Sequence, residues 1–275
     1  MSERKPIKLI LTDIDNTILP KGDARVSPRT VAAFHAALDA GMCIAPSTGR
    51  GVDWIPPFFG GDAACCQTAI ATNGLQIYLD GARVLEKTLD PASLARLRDA
   101  VAAVPRAGLV CFDGGTPLLL EGAREDLAAA FPAYGKTCVP TRELPDSPVI
   151  KANVFCGGDE SAMDALVGQL NEAVPQLAVD HALPHFSNVM ERGWNKGAAV
   201  RWLCERLGIG LDEVVVFGDA DNDLPMFEVV PNSVAVANAT APAAAAARWH
   251  IGACTDDAVA ASIEALAAGE WPFTA

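Results

Sequence analysis

Ile7-Lys8-Leu9-Ile10-Leu11 leads through Thr12 into Asp13-Ile14-Asp15-Asn16-Thr17. The apolar run has the length of a buried strand, and the loop after it carries two acidic side chains one residue apart. Carboxylates clustered at a buried strand end repel each other. A hard divalent cation removes that repulsion, because it prefers oxygen ligands. Taken alone, the stretch also suits a polar turn with two solvated aspartates. Near the other end of the chain, Val214-Val215-Val216-Phe217 reads as a second buried strand. It runs into Gly218-Asp219-Ala220-Asp221-Asn222-Asp223, where Gly218 permits a tight turn. Two acidic clusters, each following an apolar strand, outweigh a pair of independent acidic loops. Brought together, they make a natural Mg²⁺ site.

Two further segments fit between them. Met42-Cys43-Ile44-Ala45 is a short apolar run followed by Pro46-Ser47-Thr48-Gly49-Arg50. Hydroxyls, a glycine turn and a guanidinium are the groups that hold a phosphate. The same residues also serve an ordinary strand-to-helix loop with a Ser or Thr cap. Asn195-Lys196-Gly197 opens a helical stretch, Ala198 to Leu207. Lys196 there can face an anion with help from the helix N-terminus, or be solvated.

In this order the motifs resemble those of the haloacid dehalogenase (HAD) superfamily of phosphohydrolases. The resemblance rests on D-x-D-x-T at Asp13–Thr17, T-G-R at Thr48–Arg50, K-G at Lys196–Gly197 and G-D-x-x-N-D at Gly218–Asp223. Asn73-Gly74 and Val234-Ala235-Val236-Ala237-Asn238-Ala239 resemble the Cof-type, subfamily IIB branch, which carries a C2-type cap. The combination covers essentially the whole chain and is specific, although each motif alone is not.

The resemblance implies an α/β fold: a HAD-like Rossmannoid parallel-sheet core over residues 1–81 and 190–275, with an inserted α+β cap at 82–189 that covers the active site. It implies a phosphoric monoester hydrolase, a Mg²⁺-dependent phosphatase acting on a small phosphorylated metabolite, by default a sugar phosphate. Asp13 would be the nucleophile that forms an aspartyl-phosphate, and Asp15 the general acid and then the general base. Thr48, Gly49, Arg50 and Lys196 would hold the phosphate, with Ser47 the neighbouring alternative to Thr48. Asp13, Asp15 (through its backbone carbonyl) and Asp219 would bind Mg²⁺, with Asn222 and Asp223 completing or supporting that shell.

Composition is consistent with this. At 275 residues the chain holds one large domain or two smaller ones. Its formal charge of −13 disfavours nucleic acid or an anionic membrane surface as a partner. An anionic substrate must then be attracted locally, by metal, Lys and Arg. Met1-Ser2-Glu3-Arg4-Lys5 has no apolar leader, and no stretch reaches the length of a membrane span, so a cytoplasmic enzyme is expected. The eight cysteines are scattered apart from Cys65-Cys66, without a C-x-x-C pair. They read as reduced, mostly buried thiols, not a zinc framework. His35, His181, His185 and His250 show no metal-ligand spacing.

Strand and helix alternate up to about residue 80, with Ser27-Pro28 starting a helix, and alternate again from about 190. The middle interleaves helices with hairpins, one of them turning at Asp113-Gly114-Gly115-Thr116. Asp113, Lys151, Asn153, His185 and Asn188 in this middle region can reach a substrate, but nothing in the sequence assigns them a role. Among rivals, a receiver domain is too short and carries no D-x-D on its first strand. A true dehalogenase lacks the second acidic cluster, and a P-type ATPase needs membrane spans and has Thr in place of Asp15. A hexose-phosphate mutase of the same superfamily, or a non-catalytic phospho-ligand sensor, keeps the four motifs.

Overall fold

The computed structural model describes residues 5–158, 160–180 and 183–274; Met1–Arg4 and His181 lie outside them. The chain opens with β1 (Leu9–Thr12), α1 (Pro28–Asp39), β2 (Cys43–Pro46), β3 (Ala69–Ala71), β4 (Gln76–Leu79) and β5 (Ala82–Glu86). All four residues of β1 are buried, as befits a strand covered on both faces. Ser27 caps α1 by accepting a hydrogen bond from Thr30 N at 3.0 Å, and Pro28 takes the first helical position. A second group of elements follows. It comprises α2 (Pro91–Ala102), β6 (Ala107–Asp113), β7 (Thr116–Glu121), α3 (Arg124–Ala130), α4 (Pro132–Thr137), β8 (Val139–Pro140), β9 (Ala152–Cys156), α5 (Glu160–Ala173), β10 (Leu177–Val179) and β11 (Phe186–Glu191). The chain then returns through α6 (Lys196–Leu207), β12 (Val214–Gly218), α7 (Leu224–Val229), β13 (Asn232–Ala235), α8 (Ala241–Ala246), β14 (Trp249–His250) and α9 (Ala258–Ala267).

These elements form two compact units, divided between Leu85 and Glu86 and between Trp194 and Asn195, not after 81 and 189. The first boundary moves because β4 and β5 join β3 in a three-stranded sheet, so the chain stays with the first unit through that pairing. The first unit is built on a five-stranded sheet in the order β14-β13-β12-β1-β2, with every pair parallel. β3 is not a full member: it pairs antiparallel with β4 and touches β2 through a single bridge, Ser47 to Ile70. One face of the five-stranded sheet buries Ile10, Ile44 and Val215 against Phe34 of α1 and Ile263 of α9. Register then sets the site. Thr12 lies opposite Phe217 on one side and Pro46 on the other. Asp13, Asp219 and Thr48 therefore leave the carboxyl ends of three adjacent parallel strands, the usual ligand position in open α/β sheets.

The second unit is a six-stranded sheet, β10-β11-β9-β6-β7-β8, with helices. Asp90 caps α2 through Ser93 N at 2.8 Å. α3 and α4 are separate helices because Pro132 holds Phe131 extended and starts the second. Phe131 stacks with both Tyr134 and Phe186, and Lys151 Nζ donates to Tyr134 Oη at 3.0 Å. Asp113 accepts from Ser147, and Asn153 donates to Asn188 Oδ1. Those contacts tie Asp113, Lys151, Asn153 and Asn188 to neighbours within the unit, and the His185 carbonyl accepts from Cys156 N at 3.1 Å.

All eight thiols are free. Among the described residues no helix is long and apolar enough to cross a membrane. Although sequence spacing keeps them apart, His35, Asp62 and Cys65 meet in the folded chain.

Candidate active site

Asp13 is held at the end of β1 by its own N–H, which donates to Phe217 O at 3.0 Å. The loop then turns sharply. Asn16 takes a left-handed φ of 58° and donates to Leu19 O, a conformation Asn tolerates better than most residues. The turn brings Thr17 Oγ1 within 2.8 Å of Asp219 Oδ1, to which it donates. Lys196, at the first position of α6, is the cation of the site. Its Nζ donates to Asp13 Oδ1 at 2.6 Å and to Asp223 Oδ1 at 2.7 Å. The other oxygen of Asp223 accepts from Asp219 N and Ala220 N, which fixes the loop after β12. Asp13, Asp219 and Asp223 each place a carboxylate oxygen within 4.8 Å of the others.

Two glycines make this proximity possible. A Cβ on Gly218 would lie 2.5 Å from Asp223 Cγ. A Cβ on Gly197 would lie 2.1 Å from Pro225 O, where α6 crosses the start of α7. Backbone cannot yield as a flexible side chain can, so Gly197→Ala is expected to force α6 away and draw Lys196 off its carboxylates. A loss of about 1–3 kcal/mol in urea unfolding is expected, together with lower activity. Unchanged stability would mean that the helix contact is not tight.

The electrostatics are those of a cation site. Lys196 is 1% exposed and Asp13 4%. Burial, aided by Asp223, Asp219 and Asp15, pushes the Asp13 carboxyl well above its ordinary range against the pull of Lys196. Burial opposes the Lys196 charge too, but Asp13 and Asp223 outweigh it and hold the ammonium above its ordinary value. Burial, then Asp223, pushes Asp219 up to about 7 against its hydrogen bond from Thr17. Lys196 bonds two of three clustered carboxylates, so the cluster, once ionised, carries more negative than positive charge. An all-oxygen donor set with surplus negative charge fits a hard divalent ion such as Mg²⁺.

A pH dependence follows. The folded chain keeps a proton on Asp219 up to about pH 7, whereas the unfolded chain releases it near 3.8. Without divalent metal, this contribution to stability is fully present below the unfolded value and is lost as pH rises through the folded one. Melting temperature is therefore expected to fall across that window in chelator. Added Mg²⁺ should raise it more near pH 8 than near pH 5, because the ion needs the ionised carboxylates. An equal Mg²⁺ effect at both pH values would show that Asp219 does not take part.

The remaining sequence-predicted residues fall into place around this cluster. Ser47 and Thr48 separate cleanly. Ser47 is fully buried, with its hydroxyl against Met226 Sδ at 3.3 Å, whereas Thr48 Oγ1 accepts from Arg50 N at 3.2 Å. Arg50, which the resemblance implies for the phosphate, holds Asp15 in this structure. Its Nε donates to Asp15 Oδ2 at 2.8 Å and its Nη2 to Oδ1 at 2.6 Å. Its guanidinium also lies 4.6 Å from the centre of the Phe58 ring. The planar fork finds a carboxylate on the neighbouring loop, the partner its geometry suits best. The Asp15 side chain thus stands outside the three-carboxylate cluster, and the Asn222 amide donates to Asn73 Oδ1 at 3.3 Å. Asn73 was not singled out as a site residue by the sequence. Its side chain, 3.2 Å from where a Cβ on Gly49 would sit, favours the Gly in T-G-R, while Gly74 of N-G has a left-handed φ of 99° and a Cβ there would lie 2.8 Å from Ala199 Cβ.

Comparison with known proteins agrees with this geometry. Residues 10–263 match the family model described as haloacid dehalogenase-like hydrolase. The HMP-PP phosphatase of Klebsiella pneumoniae is 30% identical over 240 residues, covering 84% of this chain and 85% of that protein. The phosphoglycolate phosphatase of Pyrobaculum neutrophilum is 28% identical, covering 88% and 87%. The solved structure of a HAD subclass IIB sugar phosphatase superposes with a TM-score of 0.79 at 19% identity, covering 94% of this chain and 98% of that one. The chain therefore belongs to the haloacid dehalogenase-like hydrolases, in their Cof-type branch.

Proposed function

We propose that this phosphoric monoester hydrolase is a Mg²⁺-dependent phosphatase of a small phosphorylated metabolite, a sugar phosphate first of all, working through an aspartyl-phosphate on Asp13. The observation that carries the reading is the buried Lys196 ammonium shared by Asp13 and Asp223, with Asp219 beside them. Such a cluster has no use in a packed core and suits the charge of a transferring phosphoryl group. The named activities of the two relatives, both on small phosphorylated molecules, support the substrate class.

Asp13 attacks phosphorus with the carboxylate oxygen that forms the new O–P bond as the ester O–P bond breaks. Asp15, held by Arg50 before turnover, takes a proton from solvent at an oxygen that leaves the guanidinium and gives it to the departing alkoxide. It then takes one from the water that cleaves the acyl phosphate, and inorganic phosphate leaves. Lys196 and the Thr48 hydroxyl donate to the phosphoryl oxygens as charge spreads over them. Asp13, Asp219 and Asp223, with the Asp15 backbone carbonyl, would hold Mg²⁺, whose charge lets an anionic nucleophile approach an anionic ester. Asn222 and Asn73 brace the loops that carry these groups. Residues 86–194 are the proposed C2-type cap that sets specificity.

A panel of sugar phosphates and other small phosphate esters, assayed with Mg²⁺, tests this. Inorganic phosphate should be released, and chelator should stop it. An isomeric phosphate formed without release would mean a mutase. Tight binding of a phosphorylated ligand without any conversion would mean a sensor.

A further inference from the structure

A second group of metal-ligating side chains lies outside the catalytic machinery. His35 projects from α1, and Asp62 and Cys65 belong to the segment between β2 and β3, which is built of short 3₁₀ turns. His35 Nε2 is 2.7 Å from Asp62 Oδ2. The other Asp62 oxygen accepts from Ala64 N at 3.0 Å, which fixes the carboxylate as the cap of the turn that carries Cys65. Cys65 is fully buried beneath the pair, and the ring nitrogen, a carboxylate oxygen and the sulfur all lie within 4.8 Å of one another. Around a tetrahedral zinc ion with bonds of roughly 2.0–2.3 Å, ligand atoms stand some 3–4 Å apart. To reach that geometry the His35–Asp62 pair, at 2.7 Å, opens by a few tenths of an ångström and the thiol, within 4.8 Å of both, draws in. A His–Asp hydrogen bond and an N-cap account for two of them; the converging thiol is the third donor.

We propose that His35, Asp62 and Cys65 bind Zn²⁺, with solvent in the fourth position. Imidazole and thiolate select zinc over magnesium, so this site and the all-carboxylate cluster divide the two metals between them. One carboxylate and one thiolate balance the 2+ charge, the thiol releasing its proton to solvent as the ion binds. The half-exposed His35 ring provides the entry path. The ion would fasten to α1 the segment that carries Phe58, on which Arg50 stacks.

Cobalt(II) is the probe, added to the purified full chain in excess Mg²⁺. Only a thiolate ligand gives the near-ultraviolet sulfur-to-cobalt charge-transfer band, so carboxylate binding at the catalytic cluster is silent there. The wild type is expected to show the band at one equivalent, and zinc to abolish it by displacement. Cys65→Ser should lack it, while Cys66→Ser keeps it. His35→Gln and Asp62→Asn should bind at least about tenfold more weakly; the first changes a half-exposed residue and the second retains the cap, so both should fold. Absence of the band in the wild type overturns the proposal. So does a band that persists in Cys65→Ser, or one whose affinity is unchanged in His35→Gln.

Discussion

Replacing Asp13 by Asn is expected to abolish turnover, by at least about 10⁴-fold, while the protein stays folded. The amide offers no anionic oxygen to attack phosphorus, so no acyl phosphate can form. The fold survives because Lys196 keeps its second partner, Asp223, at 2.7 Å. Burial and the neighbouring carboxylates already push Asp13 toward its neutral form, so a neutral isostere relieves repulsion without opening a cavity. Thermal unfolding should therefore be unchanged or raised. Acid quench during turnover of a ³²P-labelled substrate should trap label on the wild type and none on the variant. Residual activity within tenfold of wild type would remove Asp13 from the nucleophile's position.

What the sequence disclosed, and what it hid, follows from the range of each interaction. β1 and β12 are continuous apolar runs ending in acidic loops, so local pattern alone marks them. Ser27-Pro28 and Asp90-Pro91 announce helix starts through caps that act within three residues. The β4–β5 pairing leaves no local signal, because Gln76–Leu79 and Ala82–Glu86 mix polar and apolar residues and their order comes from pairing beside β3. β14 is two residues long, too short for any periodicity. Within the site, residue type marked Asp13, Asp219, Asp223 and Lys196 as candidates, but only the parallel register of β12, β1 and β2 and the Gly197–Pro225 contact bring them together. Arg50 has a partner that residue type does not reveal. A guanidinium beside two hydroxyls looks like a phosphate ligand, yet which anion it meets is decided by the loop opposite. His35, Asp62 and Cys65 are invisible for the same reason, since helix α1 and a distant turn must fold before they meet.

That Arg50 contact sets up the second large effect, at Asp15. Asp15→Asn is expected to lower kcat for a sugar phosphate by about 10²–10⁴-fold with little change in KM, since the amide can neither give nor take the proton. The nitrophenyl ester should suffer less, because nitrophenolate leaves without a proton, provided that hydrolysis of the acyl phosphate does not limit turnover. Equal losses on both substrates under that condition would take the general-acid role from Asp15. The double-mutant cycle with Arg50→Ala then separates two functions for the guanidinium. If Arg50 works by holding Asp15, as its two hydrogen bonds at 2.6 and 2.8 Å indicate, its loss lowers kcat in the wild type. In the Asp15→Asn background the same loss should add little, because the group being positioned is already gone. If Arg50 instead binds the substrate phosphate, its removal raises KM by the same factor in both backgrounds. The first pattern makes Arg50 a positioning residue for the general acid; the second returns it to the phosphate.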